Sequence, residues 1–516
     1  MPVETSTYRD HGTSPPGATV CLPDNVESAL RHPPRRATTV LGLLAVLLAV
    51  QIVPWWTPTT DGAAYLSIAR SIARGGSPRC FGSPMLFYPP GYPLLISPAF
   101  LLANRPFLPL ALLQWLQTVA FMLGVYVWAR RWFPRGCLWI VALVMVNTSL
   151  WMHARATLSE LAFMALLVWS ANVMDYLLRL RASVWRVAAW SALLAAMVAA
   201  LSMVRPVGVL LAAGYGLVAL AMAWKGQVSW RRAIATVLAA GVPASAAILG
   251  LMSYESRMAA TVGKDNRYVR EFTIGNSYAA QVLEGVRLRV MEIGRLSLPG
   301  MQKCYAGRGI WWDVNLAVYT PLCVGMAWAW WRLAREAPSA MVWTFPLYAG
   351  LYCVYAWDQG TRYMLPTLPI LAACGWCLVS QLPRFRTVAM TFLVVAHLAV
   401  AVGNCVRTTR DAYQADAQWP AFDAFAQRID GERRTVAMQA PSPLIDMLMV
   451  AADRKVVDAR QASGQAKAVS AGWLVAPNDG ALPAGFIVRS EHGDFALLEQ
   501  VEIAATPKHG ASGQAR

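Results

Sequence analysis

Two carboxylates and two arginines stand where apolar segments of the chain meet polar ones. Asp61 follows the first long apolar segment, and Glu160 lies in HARATLSELAF at the start of a later one. Arg205 ends an apolar segment in MVRPVG, and Arg362 precedes another in QGTRYMLPTLP. A carboxylate at such a boundary is suited to deprotonating or orienting an acceptor. An arginine there is suited to holding an anion such as a lipid phosphate.

Each of these residues also has a purely structural interpretation. Asp61 stands behind two threonines, where it is placed to cap a helix. Glu160 is spaced from Thr157 as in a capping box. The two arginines, taken singly, are placed to reach lipid headgroups. The predicted position of all four at one membrane face favours a site.

The elements that hold these residues are predicted to be membrane helices. The 516-residue chain is 57% hydrophobic and only 14% charged, so most of it must face lipid. The formal net charge of +17 lies mostly in short basic clusters between apolar segments, where it orients helices and holds anionic headgroups. We therefore expect a polytopic α-helical membrane protein that binds membrane lipids and no nucleic acid.

The basic clusters also predict the topology. A polar cytoplasmic tail, residues 1–36, precedes a first span over about Ala37–Trp56. Further apolar segments of bilayer length lie near 107–129, 137–153, 157–178, 187–204, 206–224, 233–253, 312–331, 340–357, 363–380 and 387–405. Every second connection is basic, in phase with the tail. The positive-inside rule then gives about eleven spans, with the amino terminus in the cytoplasm and the carboxyl terminus outside.

Two outside loops and a soluble domain complete the predicted organisation. The first loop, about 57–106, contains TTDGAAYLSIARSIAR, whose apolar residues repeat at helical spacing and favour a helix along the bilayer interface. The second loop covers about 254–311, within a transmembrane domain of residues 37–405. Alternating helix and strand signals predict an extracytoplasmic α/β domain over 406–516, with a role in recognition or folding support.

The cysteines and acidic residues bear on cofactors. The nine cysteines form no metal-ligand array, and Cys374 and Cys377 lie in an apolar run that favours packing. Cys80 and Cys304 fall in the two outside loops. They either form a disulfide or stay as two free thiols, and the sequence does not decide between these. A close acidic pair is absent from the first loop, so a divalent metal is not indicated, although it stays open, and we expect no cofactor.

Four stretches occur in a distinctive order over about residues 38–405. They are TTDGAAYLSIARSIARGG, FYPPGYPLL, TLSELAF followed by LSMVRPVG, and TRYMLPTLP. Together they resemble the GT-C superfamily of polyprenyl-phosphate-sugar-dependent glycosyltransferases. The resemblance is greatest to the protein O-mannosyltransferases and the lipid A aminoarabinose transferase.

The resemblance implies roles for individual residues. Asp61 matches the family's catalytic acidic residue, and Tyr65 matches the aromatic residue four positions on. Tyr363 matches the tyrosine near the donor headgroup. Tyr88 stands where the aminoarabinose-transferase branch has a phosphate-binding lysine, and Gly62 stands where many relatives have a second acidic residue.

The departure at Tyr88 moves the expected phosphate contact to other cations. Arg155, Arg205, Arg362 or a residue of the second outside loop would have to supply it. The expected catalytic residues are therefore Asp61 and Glu160, and the expected donor-binding residues are Arg362, Tyr363, Arg205, Arg155, Tyr88 and Tyr65.

The function implied by the resemblance is an integral membrane glycosyltransferase of the bacterial inner membrane. It would move a sugar from a polyprenyl-phosphate donor, with inversion, to an acceptor that the sequence does not identify. The alternatives are a polytopic transporter or lipid flippase and a membrane assembly protein. A transporter predicts charges at mid-membrane depth and matched broken helices, whereas the charges here cluster at the predicted membrane surfaces.

Overall fold

The computed structural model describes residues 34–85, 88–180, 183–262, 278–298, 310–354, 360–429, 436–438, 442–452, 456–458, 473–477, 486–492 and 495–500. Helices predominate in these ranges. In chain order they are α1 (Arg35–Ala49), α2 (Thr60–Ala73), α3 (Gly91–Ile96), α4 (Phe107–Trp132), α5 (Cys137–Met145), α6 (Thr148–Arg155), α7 (Glu160–Arg179), α8 (Val184–Val204), α9 (Val209–Trp224), α10 (Trp230–Val262), α11 (Tyr278–Ser297), α12 (Ile310–Glu336), α13 (Ala340–Val354), α14 (Leu368–Ser380), α15 (Arg386–Asp416), α16 (Trp419–Ile429) and α17 (Ser442–Ala452).

Every predicted span coincides with one of these helices or with the pair α5 and α6. In the described part of the chain, six helices are long and apolar enough to cross a membrane. A seventh span results if α5 and α6, which meet at an angle of 51°, are counted together. The count of about eleven stays a prediction for the other four helices. α12, with 27 residues, is long enough but is not among the helices apolar enough to cross. α1 and α13 have 15 residues each and α14 has 13, short of the roughly 20 that a bilayer requires.

Helix α2 differs from the predicted interfacial helix in its burial. Thr59 caps it, since the Thr59 hydroxyl accepts the backbone N–H of Gly62 at 3.1 Å. The run from Gly62 to Ala69 is buried on every side, Ser67 included. α3, the short 3-10 turn Ser97–Leu101 and α17 pack against α2. The helix is therefore a packed element of the fold, with more than one apolar face covered.

A backbone contact brings the first outside loop to the start of α7. Thr57 forms a parallel β-bridge with Ala156. A Cβ on Gly62 would lie 2.5 Å from the Thr59 hydroxyl oxygen and 3.3 Å from the Thr157 carbonyl oxygen. A side chain at position 62 would therefore displace the Thr59 hydroxyl that caps α2.

The second close approach joins two of the sequence stretches that carry the resemblance. A Cβ on Gly91, in YPPGYP, would lie 2.6–2.7 Å from backbone atoms of Met203 and Val204. Helix α3 therefore lies directly on the last turn of α8, immediately before Arg205. A larger residue at position 91 would push these backbones apart.

The predicted second outside loop is largely helical where it is described. α10 continues to Val262, and α11 covers Tyr278–Ser297. α11 packs against α12, α13 and α14. Its buried residues include Arg289, Glu292 and Arg295, so this segment contributes charged groups to the interior.

Beyond α15 the chain forms a mixed sheet with two helices. α15 runs without a break through the predicted boundary at 405–406. A hairpin of the first outside loop contains β1 (Arg79–Cys80) and β2 (Ser83–Pro84), and the later strands are β3 (Val436–Met438), β4 (Val456–Asp458), β5 (Trp473–Pro477), β6 (Phe486–His492) and β7 (Phe495–Gln500). The sheet order is β4-β3-β5-β7-β6, with β3 parallel to β4 and β5, and β7 antiparallel to β5 and β6.

This C-terminal unit is packed against the two ends of the first outside loop. The Trp419 ring stacks on Trp56 and Phe107, with centroids 6.4 Å and 5.6 Å away. The Arg105 guanidinium lies 4.5 Å from the Trp419 ring and forms an ion pair with Asp423. Aromatic stacking of this kind, together with a cation over the ring, stabilises the contact.

Candidate active site

One arginine joins the two predicted catalytic carboxylates. Arg362 contacts Glu160 through Nε and Asp61 through Nη1. Arg362 is 202 residues from Glu160 and 301 residues from Asp61 along the chain, so tertiary packing creates the cluster. The Glu160 side chain is fully buried, whereas 31% of the Asp61 side chain is exposed. The cluster therefore has a closed inner end and an open outer end.

A second arginine holds the inner carboxylate. Arg205 Nη1 lies 3.3 Å from Glu160 Oε1, and its guanidinium stands 5.8 Å from the Phe163 ring. Two cations facing one buried carboxylate offset the loss of its hydration. The second oxygen, Glu160 Oε2, is buried with no hydrogen-bond partner among the described residues.

The helix-capping interpretations do not account for these carboxylates. Thr59, not Asp61, caps α2, and Asp61 is the second residue of the helix. α7 begins at Glu160 itself, and Ser159 before it makes no side-chain capping bond. A capping box would need Glu160 at the third helical position. Both acids instead face arginine.

Burial and charge act in opposite directions on Arg362. Burial by itself would lower the pKa of the guanidinium. Glu160 and Asp61 beside it raise that pKa well above its usual value. Arg362 therefore remains a cation at every physiological pH and supplies fixed positive charge at the site.

Three tyrosines line the Asp61 side of the cluster. The Tyr88 hydroxyl donates to Asp61 Oδ1 at 3.0 Å, and burial and then the Asp61 charge raise the pKa of Tyr88. The Tyr65 ring packs edge-on between Tyr88 and Tyr92, at 5.1 Å and 5.0 Å. The Tyr65 hydroxyl donates to Ser159 Oγ at 3.3 Å, and burial raises the pKa of Tyr65 to about 12. Both hydroxyls are therefore protonated donors.

The predicted donor-headgroup tyrosine lies beside a cation that the sequence reasoning did not single out. Tyr363 stacks on Tyr352 with centroids 4.5 Å apart. The Arg289 guanidinium lies 5.4 Å from the Tyr363 ring and 5.9 Å from the Tyr352 ring. Arg289 Nη1 is 3.2 Å from Glu292 Oε2. The only sequence signal for Arg289 was its place in the second outside loop.

Arg155 is directed away from these residues. Its Nη1 donates to the Cys405 carbonyl at 2.7 Å and to the Thr408 hydroxyl at 3.0 Å, both on α15. Glu160, five residues further along the chain, contacts Arg205 and Arg362 instead. The structure thus brings Asp61, Glu160, Arg205, Arg362, Tyr65 and Tyr88 together, with Tyr363 beside Arg289, and places Arg155 elsewhere.

Metal ligands and the Cys80–Cys304 pair were also considered from the sequence. In the described ranges, no group of three or more His, Cys, Asp or Glu side chains is placed to hold a metal ion. Cys304 lies outside the described residues, so its pairing with Cys80 stays open.

Solved structures share this fold. ArnT from Cupriavidus metallidurans, bound to undecaprenyl phosphate, aligns at 12% identity with a TM-score of 0.58, over 92% of this chain and 99% of ArnT. The apo oligosaccharyltransferase from Archaeoglobus fulgidus aligns at 12% identity with a TM-score of 0.51, over 85% of this chain and 69% of the archaeal protein. No family model and no curated protein matches the sequence. The chain has the GT-C fold, as the four sequence stretches predicted.

Proposed function

We propose that this chain is an integral membrane glycosyltransferase that uses a polyprenyl-phosphate-linked sugar. The observation that carries the proposal is the Arg362 bridge between Asp61 and Glu160 at one end of a GT-C fold. ArnT, which has this fold, was solved with undecaprenyl phosphate. A buried carboxylate, an exposed carboxylate and fixed cations are the groups that such a transfer requires.

The cations are assigned to the donor phosphate. Arg205 and Arg362 meet at Glu160, and Arg289 lies over the Tyr352–Tyr363 pair. As the bond between the sugar and the phosphate breaks, negative charge grows on the phosphate oxygen that leaves. Positive groups already fixed in place stabilise that charge without reorganising, which is the main electrostatic contribution to catalysis.

The exposed carboxylate is assigned to the acceptor. An acceptor hydroxyl or amine donates its hydrogen to Asp61, and its lone pair attacks the anomeric carbon. The glycosidic bond to phosphate breaks on the opposite face, the proton passes to Asp61, and polyprenyl phosphate leaves as an anion. A single displacement of this kind inverts the anomeric carbon. The Tyr88 hydroxyl occupies one Asp61 oxygen and fixes the carboxylate in place.

The site is assigned to the extracytoplasmic face of a bacterial inner membrane. This follows from the basic connections between the predicted spans, which place the amino terminus in the cytoplasm. A reporter fused at about residue 420 should therefore read outside. A cytoplasmic signal there contradicts the predicted topology of about eleven spans.

Transfer of label from a radiolabelled polyprenyl-phosphate sugar into membranes tests the proposed function. Membranes containing the wild-type chain should produce a labelled glycoconjugate that vector membranes lack. Asp61→Asn should abolish it, and Asp313→Asn, which alters an exposed aspartate on α12, should not. Translocation of donor without any new glycosidic product would support the flippase alternative and overturn the transferase.

A further inference from the structure

A third carboxyl group reaches the proposed site from the C-terminal unit. Asp446 on α17 is 3% exposed. Its carboxyl accepts a hydrogen bond from the hydroxyl of Thr60, the residue before Asp61, and the Asp61 charge raises its pKa. Neither the residue patterns nor the four stretches that resemble the GT-C superfamily pointed to this residue.

The position of Asp446 is fixed by how α17 packs on α2. Arg70 Nη1 on α2 donates to the Val450 carbonyl on α17 at 2.8 Å. Asp446 and Val450 are four residues apart, so they lie on one face of α17. The two helices are thus joined at two points, Thr60 to Asp446 and Arg70 to Val450. The Arg70 bond holds α17 in place without needing a charge at position 446.

The charged surroundings of Asp446 single out one neighbour. Burial raises the pKa of the Asp446 carboxyl to about 6, with a further rise from Asp61 and an opposing effect of the Thr60 hydroxyl. The charged residues on or next to the elements packed against α17 are Asp61 and Arg70 on α2, Arg74 directly after it, Asp423 and Arg428 on α16, and Asp458 on β4. Asp423 forms an ion pair with Arg105, and Arg70 bonds the Val450 carbonyl. Asp61 is the charged residue that acts on Asp446.

We propose that Asp446 is a positioning residue of the transfer reaction, which makes the C-terminal unit part of the reaction centre. This inference rests on the proposed function. When ionised, Asp446 repels the negative charge of Asp61 and opposes the attraction between Asp61 and Arg362. The Asp61 oxygens are then less tightly held by the guanidinium and accept the hydrogen of the acceptor more readily. Placing like charges together disfavours folding, and such arrangements recur at functional sites.

The juxtaposition of the two carboxylates is testable without any transfer assay. Asp446→Asn should raise the melting temperature of the detergent-solubilised protein at pH 7.5 by about 3 °C, because a buried charge is removed. The gain should shrink toward pH 4.5, where the wild-type carboxyl binds a proton in the folded state. In an Asp61→Asn background the gain at pH 7.5 should be smaller, since the like charge is gone. Strictly additive shifts would overturn the proposed contact.

The pH dependence of transfer tests the positioning role. In wild type the rate should fall as pH drops through about 6, and Asp446→Asn should already show the reduced rate at pH 7.5, with that fall removed. Thr60→Val should move the fall to higher pH, because the hydroxyl that lowers the Asp446 pKa is lost. Asp411→Asn, an exposed aspartate on α15, should leave the profile unchanged.

Different results overturn the proposed function and the role of Asp446. An active wild type whose profile keeps its shape in Asp446→Asn, with the rate reduced equally at every pH, shows a merely structural role and overturns the inference alone. A wild type that transfers no sugar at any pH overturns the proposed function, and the role assigned to Asp446 falls with it.

Discussion

Helix α7 carries a buried acid near each of its ends, and the two are held in different ways. Asp175, near the last turn, accepts the Ser339 hydroxyl at 2.7 Å and the Ala340 N–H at 3.0 Å, so it caps α13. Arg131 Nη1 is 3.8 Å from it. Glu160, at the first residue, meets the guanidinium groups of Arg362 and Arg205.

The two acids show how a carboxylate that completes a helix end differs from one in the proposed site. Both Asp175 oxygens are engaged by the start of α13, and its side chain is fully buried. Such a carboxylate completes a helix end. The arginine on Glu160 also contacts Asp61, whose side chain is 31% exposed. That chain of charges runs from the interior to an accessible oxygen.

Neutralising Glu160 and Asp175 in turn should give the largest difference in transfer rate between the two ends of α7. Glu160→Gln should lower transfer per folded molecule by about 100-fold, because the cations lose the charge that positions them. Asp175→Asn should leave that rate within about twofold and lower stability by about 1–3 kcal/mol, since one capping bond is lost. Transfer rates normalised to folded protein, with melting temperatures, measure both. The reverse pattern would contradict the comparison.

The geometry of Arg362 should matter as well as its charge. Arg362→Lys keeps the cation but offers a single ammonium group in place of two nitrogen donors on separate carboxylates. We expect transfer to fall about tenfold, corresponding to one lost charge-assisted hydrogen bond. Arg179→Lys is the matched control near the other acid, where Arg179 donates to the Asp175 carbonyl at 3.0 Å. Equal rates for Arg362→Lys and wild type would show that the bridge is dispensable.

The sequence predicted that Asp61, Glu160, Arg205 and Arg362 lie together because each stands in a short stretch at a helix end. Asp61, Glu160, Arg205 and Arg362 were each placed at one membrane face by the phase of the basic connections. The predicted helix positions were right for the same reason, since apolar length sets each segment. The spacing of apolar residues does not show, however, in which direction a polar side chain at a helix end points, and Arg155 is an example. It precedes Glu160 by five residues, yet its guanidinium reaches Cys405 and Thr408.

Residues that enter through tertiary packing were beyond prediction from the sequence. Asp446 reaches the cluster because α17 packs on α2, and no local pattern encodes that contact. Arg289 lies beside Tyr363 because α11 is a packed helix, although its segment was predicted as an outside loop. The burial of α2 was missed likewise, because a half-apolar helix fits a bilayer surface and a protein interface equally well.

Removing the Tyr88 hydroxyl should have a smaller effect than removing charge. Tyr88→Phe loses the bond to Asp61 Oδ1 but keeps the ring against Tyr65. We expect transfer to fall about fivefold, which corresponds to one hydrogen bond of about 1 kcal/mol, because the charge of Asp61 itself is kept. The raised pKa of Tyr88 keeps it protonated up to at least pH 10, so the alkaline side of the pH profile should be identical in both proteins. A basic limb present only in wild type would contradict this assignment.

The smallest effect on transfer is expected at Arg155. Arg155→Lys should lower the melting temperature by about 2–4 °C, because contacts to α15 are lost, and should leave transfer within about twofold. Donor KM and melting temperature, measured on the same preparation, separate the two roles. A tenfold rise in donor KM would assign Arg155 to the donor phosphate, as the sequence predicted, and would extend the site beyond the cluster around Arg362.

A single-turnover measurement on purified Asp61→Asn tests the central claim most directly. Donor binding is measured first, so that loss of binding is not mistaken for loss of chemistry. We expect donor affinity near that of wild type and a transfer step slowed by about 100-fold or more, because the group that takes the acceptor proton is gone. Asp313→Asn should match wild type in both quantities. Wild-type transfer by Asp61→Asn would contradict the assignment of this cluster as the reaction centre.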